Sequence, residues 1–215
     1  MTNAYDLFMR LPFLGWVLFC ATAQLLGFWH VMSSGSMDCV YAIGIAMRLS
    51  TIAFLLLIAA AIIFRTRPSA KARGLEPRIS ASIGTFLIYG MGMFPRCVLS
   101  LSAEIVSTLL ITVGSIGAVT ALLQLGRSFS IMAETRRLVT TGPYRFVRHP
   151  LYLTEEIAVI GLFLQFASVW TAFLLAVHIA FQLRRMYNEE TVLTASFPEY
   201  HAYRRNTARL IPGIY

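Results

Sequence analysis

Apolar residues fall in long runs at about 11–32, 40–64, 80–96, 101–125 and 151–183, separated by short polar stretches. Runs of this length exceed what a buried core strand or a short core helix needs, and they predict membrane-spanning helices. The last run is too long for one crossing. As a single helix it would extend roughly 50 Å at 1.5 Å per residue, against a hydrocarbon core of about 30 Å. A break at Gln165–Ser168 resolves this and predicts a helical hairpin of 151–166 and 168–185. The expected fold is therefore an all-α, polytopic membrane protein of six helices. It forms one membrane domain, with a four-helix N-terminal part (1–125) and a C-terminal part (126–215) in which the polar residues concentrate. No internal repeat or low-complexity tract interrupts the pattern.

Glycine and alanine recur inside these runs, at Gly44, Ala46, Gly84, Gly90, Gly92, Gly114 and Gly117, where close helix packing in a membrane favours small residues. Trp16, Trp29, Tyr41 and His30 fall near run ends, as interfacial residues do. Arg48 lies about eight residues into the second run. A charge at that depth needs a partner or access to water, and Glu104, entering the fourth run from the same side, is the expected one.

Composition strengthens the membrane reading, with 57% hydrophobic and only 13% charged residues. Arg10 precedes a first run that has no small-residue cleavage pattern, so a retained span is expected in preference to a signal peptide. A net charge of +8 would suggest nucleic acid in a soluble protein, but in a membrane protein the distribution decides. With six spans and the N-terminus inside, 16 of the 18 Lys and Arg fall on the cytoplasmic side; Arg96 lies outside and Arg48 within a span. That bias predicts an inner-membrane protein with both termini and its organised polar surface in the cytoplasm, and no nucleic-acid partner. Cys20, Cys39 and Cys97 lack CxxC spacing, so they form neither a disulfide framework nor a zinc site.

Three features on the cytoplasmic side carry the chemistry. LVTTGPYRFVRHPLY at 138–152 is rich in arginine, proline and glycine between two apolar runs; its backbone groups need partners from protein or from a ligand. A positive-inside loop with Pro150 starting a helix is its structural reading. Glu155 and Glu156 follow in the first turn of the next helix, where they could simply offset the helix dipole. His178, Gln182, Arg185 and Glu189 are separated by four, three and four residues, so they share one helical face, flanked by Tyr187 and Glu190. An Arg185–Glu189 surface pair accounts for only a few tenths of a kcal/mol of this stripe (about 0.2–0.5). His178 and Gln182, deeper in the bilayer, need polar company.

GPY-RFV-RHP-LY, followed after about 35 residues by RMYNEE, then FPEY, Tyr203 and a terminal Ile-Pro, resembles the isoprenylcysteine carboxyl methyltransferase family of integral membrane methyltransferases. The resemblance covers roughly the last 90 residues. It implies a cytoplasm-facing S-adenosyl-L-methionine pocket over the last helices, with S-adenosylhomocysteine as product, and a lateral opening for a lipophilic substrate. Carried over residue by residue, it implies that Arg136, Arg137, Leu138, Val139, Tyr144, His149, Pro150, Leu151, Tyr152 and Glu189 line the cofactor and that Arg185 faces the substrate. Thr154 stands where many members have glycine.

The residues themselves suit that donor, a sulfonium with a zwitterionic amino-acid part and an aromatic base. Glu189 offers a carboxylate, Arg148 a cation and the tyrosines flat faces. Methyl transfer is an in-line displacement governed by positioning, which can supply about 7–11 kcal/mol, with no metal or covalent nucleophile needed. A carboxylate acceptor could be held by Arg185. An amine or hydroxyl must lose a proton, which makes Glu190, Glu156 or His178 base candidates and puts His178, Gln182 and Glu156 beside the substrate. Two other classes compete: a nicotinamide-dependent membrane reductase of the sterol-reducing type, and a transporter or scaffold with Arg48, His178 and Gln182 along its pathway.

Overall fold

A computed structural model describes residues 4–33, 39–64, 66 and 68–213. Arg65 and Arg67, and the side chains of Arg10 and Cys39, lie outside the described residues. The first, second and fourth apolar runs form α1 (Ala4–Ser33), α2 (Cys39–Phe64) and α4 (Leu101–Leu125). Within them, Leu11–Ser33, Tyr41–Phe64 and Leu101–Ser128 are long and apolar enough to cross a membrane.

The third apolar run does not form one continuous helix. It forms α3 (Glu76–Phe86), then a 3-10 helix over Leu87–Met93, and becomes extended at Phe94. Gly90 and Gly92 weaken helical continuation and Pro95 prevents it. The broken segment still runs the length of its neighbours. At one end Glu76 accepts from Arg184 Nε (2.8 Å), and at the other the Cys97 amide donates to the Gln165 carbonyl (2.8 Å).

The last run divides where its length demands, into α5 (Pro150–Gln165) and α6 (Val169–Ser196). Ser168 caps α6 through a reciprocal pair with Thr171. α6 continues eleven residues past the expected limit at 185, because no glycine or proline intervenes before Pro198. It therefore carries Met186–Ser196 beyond the hairpin to meet α7 (Tyr200–Asn206). The chain is also not strictly all-α. β1 (Ala70–Lys71) pairs antiparallel with β2 (Glu134–Thr135), Ala70 opposite Thr135 and Lys71 opposite Glu134.

Close approach of α4 and α5 rests on glycine. A Cβ at Gly114 would lie 2.5 Å from the Ala158 amide nitrogen, and one at Gly161 2.7 Å from the Ser107 carbonyl. Gly117 leaves room for the Thr154 methyl in the same way, at 2.5 Å from a would-be Cβ. Buried Ser107 donates to the Gly161 carbonyl (2.8 Å) and accepts from Gln165 Nε2 (3.0 Å), joining the same two helices by polar groups.

The expected Arg48–Glu104 pair does not form. Glu104 pairs with Arg96 (3.6 Å), whereas Arg48 donates to Gln24 Oε1 (3.4 Å) and packs so tightly over Gly27 that any Cβ there would collide with its guanidinium. The nearer helix, α1, supplies the polar partner that charge spacing alone assigns to α4.

Candidate active site

The ends of α2, α4 and α6 and the start of α5 gather at one end of the bundle, opposite the α5–α6 turn. Arg127 ties two of them, donating from Nε to the Phe64 carbonyl at 3.0 Å. Between them lies an open cavity of about 790 Å³, mouth included. Its walls come from 125–139, from the 138–152 turn and from the end of α6. Among them are Arg136, Arg137, Leu138, Val139, Tyr144, Arg148, His149, Leu151, Tyr152 and Glu189. Pro150 is buried just behind, as the first residue of α5.

The turn is fixed by three sets of contacts. Gly142, at φ 62°, takes a backbone conformation that glycine alone adopts freely, and lets Pro143 start a short 3-10 turn that seats Tyr144 in the cavity wall. The amides of Arg148 and His149 donate to the carbonyls of Ala208 (2.8 Å) and Arg209 (3.1 Å), so the C-terminal segment runs beside the turn as a partner strand. The Tyr203 hydroxyl donates to the Tyr144 carbonyl. These backbone groups of the turn are thus satisfied within the protein.

Glu190 anchors this assembly from α6. One of its oxygens accepts from Arg148 Nε (2.9 Å), His149 Nε2 (3.1 Å) and Arg209 Nε (3.2 Å). Burial opposes ionisation of Glu190, but the His149 hydrogen bond and the charges of His149, Arg209 and Arg148 outweigh it and bring its carboxyl down to about 2. Arg148 is further committed to the carbonyls of Arg204 (2.8 Å) and Thr207 (2.6 Å). Burial also pushes the Tyr203 hydroxyl up to about 12 and that of Tyr144 well above its usual value, so both stay neutral.

Glu189 faces the cavity on the neighbouring side of α6. It accepts from the Tyr152 hydroxyl and pairs with Arg185 Nε (3.5 Å). Arg185 is 4% exposed, lies 4.7 Å over the Tyr152 ring and donates to Thr85 Oγ1 of α3 (3.2 Å). Tyr152 also stacks on His149, ring centres 5.5 Å apart. The end of the last helix and the arginine–histidine–proline turn therefore meet over one cavity.

Deeper along α6, His178 Nε2 and Glu156 Oε1 of α5 are 2.9 Å apart. Gln182 stands between His178 and Arg185, against Gly84 of α3. These groups and the cavity are linked through Arg185 and Tyr152.

Some site residues carry no signal that sequence reasoning used. Glu134 lines the cavity, accepts from Ser130 (2.9 Å) and Arg136 Nη2 (2.9 Å), and lies 3.5 Å from Lys71. Arg136 also donates from Nε to the Thr66 carbonyl (2.6 Å), so its guanidinium ties the β1–β2 ribbon to the cavity wall. Arg137 is exposed at the mouth. The Glu-Thr-Arg-Arg order at 134–137 was the available clue to that ion pair. Arg209, in the C-terminal segment, has no local signal at all.

The fold and site define a helical membrane protein with an ionic and aromatic cavity open at one end of its bundle. Residues 102–200, which carry nearly all of that cavity, match the phospholipid methyltransferase family, a membrane methyltransferase family related to the isoprenylcysteine one. Among curated proteins, the nickel-cobalt-cadmium resistance protein NccN of Alcaligenes xylosoxydans xylosoxydans is 33% identical over 114 residues, 51% of this chain and 53% of its own length. The cobalt-zinc-cadmium resistance protein CzcN of Cupriavidus metallidurans is likewise 33% identical over 114 residues, 51% of this chain and 52% of its own. The chain thus spans about half the length of these curated relatives. Among the described residues, no group of three or more His, Cys, Asp or Glu could hold a metal ion.

Proposed function

We propose that the chain is an S-adenosyl-L-methionine-dependent methyltransferase acting on a lipophilic acceptor in the bilayer. The observation that carries this reading is the cavity closed by the 138–152 turn and α6, with Glu189 bonded there by Tyr152. Its donor set fits a sulfonium nucleoside: one carboxylate for the cation, aromatic and aliphatic walls for the base, and an exposed arginine, Arg137, for the carboxylate of the amino-acid part.

When bound, the cofactor supplies an electrophilic methyl group. The protein's own residues do the positioning. Glu189, oriented by Tyr152 and Arg185, would hold the sulfonium. Glu190 does not act as a base, since the His149 hydrogen bond and the arginines Arg209 and Arg148 hold its carboxyl low; with Arg148 and His149 it keeps the turn closed. Arg185 forms the boundary between cofactor and acceptor. α3 with its 3-10 extension, α5 and the first part of α6 cross beside the three long helices. The cavity then opens to the cytoplasm, and acceptors enter laterally between the splayed α5 and α6. The relatives' names concern resistance to nickel, cobalt, cadmium and zinc; under this reading a change in membrane lipid chemistry is the route to such an effect.

Calorimetry on detergent-solubilised protein tests the reading. S-adenosylhomocysteine should bind and NADPH should not; binding of NADPH alone would favour a reductase, and silence with both a transporter. A screen of extracted membrane lipids with radiolabelled methyl donor then identifies the acceptor.

A further inference from the structure

The end of the bundle that carries the cavity also presents cations with no acidic partner among the described residues. Arg145 in the turn and Arg204 and Arg205 on α7 are exposed, and their side chains make no ion pair there. Arg148, by contrast, is matched by Glu190 at 2.9 Å. Glu199, the acidic residue nearest to Arg204 and Arg205 in sequence, is exposed and pairs with neither.

The fold gathers these cations on one face. Val147 bridges to Ala208 in parallel register, and the Arg148 guanidinium donates to the carbonyls of Arg204 (2.8 Å) and Thr207 (2.6 Å). The turn therefore runs beside the end of α7, which brings Arg145 and Phe146 alongside Arg204 and Arg205. Val147 and Thr207 are buried within this pairing, whereas Phe146 is 69% exposed. A large apolar side chain set outward among arginines has the character of a segment that lies on a membrane surface.

The depth of the turn agrees. Gln124, near the end of the membrane-crossing helix α4, donates from Nε2 to Thr141 Oγ1 (2.5 Å), and a Cβ at Gly142 would lie 3.1 Å from its amide carbon. The start of the turn is thus fixed level with the end of a crossing helix, where hydrocarbon gives way to head groups. Arginines at that level reach phosphate oxygens, which their forked donors suit.

We propose that Arg145, Phe146, Arg204 and Arg205 form a site for an anionic phospholipid of the adjoining leaflet, its phosphate held by the arginines and its acyl chains against Phe146. A lipid so bound touches both the turn and α7, each of which supplies walls of the cavity, and joins them from outside as Glu190 does from within. Leaflet charge is thereby felt at the cavity. An acidic protein would match the arginines equally, but it gives no role to an apolar ring at the edge of the hydrocarbon. This coupling does not depend on the reaction that the cavity serves; its effect on cofactor affinity rests on the methyltransferase reading.

The test places the purified chain in nanodiscs of phosphatidylcholine alone and of equal parts phosphatidylcholine and phosphatidylglycerol, and follows hydrogen exchange at the Arg148 and His149 amides, which donate to Ala208 and Arg209. Exchange should slow by about tenfold in the anionic discs. Combining Arg145→Gln, Arg204→Gln and Arg205→Gln should abolish the difference, while Arg145→Lys, Arg204→Lys and Arg205→Lys together keep most of it. Neither set should change exchange in phosphatidylcholine, because none of the three arginines has an ion pair to lose. Equal exchange in the two kinds of disc, a difference that survives the glutamine substitutions, or faster exchange of the glutamine variant in phosphatidylcholine alone overturns the proposal. Slowing by polyglutamate in phosphatidylcholine discs, with none from phosphatidylglycerol, overturns it in favour of an acidic protein. S-adenosylhomocysteine affinity should rise along with the slowing; wild-type protein that shows the slowing yet binds no S-adenosylhomocysteine defeats the cofactor reading and leaves the lipid site standing.

Discussion

Replacing Glu190 by glutamine should release the C-terminal segment from the 138–152 turn without unfolding the bundle. Glutamine matches the shape of the protonated acid, so the difference between an ordinary carboxyl at 4.5 and one at about 2 measures what the ionised form contributes. At about 1.36 kcal/mol per pH unit this is about 3 kcal/mol, at the low end of the roughly 3–5 kcal/mol for breaking a buried ion pair. The amides that report it are Arg148 and His149, bonded to the carbonyls of Ala208 and Arg209. Hydrogen exchange at these two positions should accelerate by about 10²-fold, while amides in the middle of α4 keep their protection. Affinity for S-adenosylhomocysteine should fall with it, because the turn is a wall of the cavity. Exchange at Arg148 and His149 within about twofold of wild type would refute the reasoning and leave Glu190 a bystander.

The same carboxyl sets a pH dependence. Its folded value lies below its ordinary one, so its stabilisation is present above about 4.5 and is lost as pH falls towards about 2, which exchange measured across that window should follow. Glu189→Ala should abolish S-adenosylhomocysteine binding by calorimetry, whereas Arg185→Ala should retain binding and lose turnover. Gly114→Ala puts a Cβ 2.5 Å from a backbone nitrogen of α5 and should destabilise the α4–α5 pair by about 1–3 kcal/mol in thermal unfolding. Glu104→Lys should leave expression nearly unchanged, since the Arg96–Glu104 pair is half exposed and worth about 1 kcal/mol or less.

Hydrophobic run length made the three long helices and the break before Ser168 legible, because the bilayer and the rise of a helix leave few alternatives. It did not reveal the break within 80–96, where apolar content is high but Gly90, Gly92 and Pro95 interrupt the helix. Helical spacing put His178, Gln182, Arg185 and Glu189 on one face, and the structure brings three of them against α5 or the turn through Glu156 and Tyr152. Spacing within one element cannot reveal partners on another. Arg48 went to Gln24 because α1 packs against α2 at Gly27, a fact of tertiary approach that no local pattern carries. Glu134 and Arg209 were missed for the same reason: each matters through a residue more than 15 positions away or through a ribbon of only two residues per strand.

Glu189 and Glu190 show how far adjacency in sequence is from equivalence in chemistry. Consecutive residues on a helix point about 100° apart, so one of the pair turns to the 138–152 turn and the other to the cavity. Glu190 meets donors from Arg148, His149 and Arg209 and is held ionised, which suits an anchor better than a proton acceptor. Glu189 meets a phenol and the flank of one arginine, and keeps a face towards the cavity. The order Arg148–His149–Pro150–Leu151–Tyr152 matches this division: Pro150 starts α5, so His149 stays in the turn to bond Glu190, while Tyr152 lies on the helix and reaches Glu189. Exchanging the two functions by sequence is therefore impossible without rotating α6. An aspartate at either position should fail differently, loosening the C-terminal segment at 190 and weakening nucleoside binding at 189.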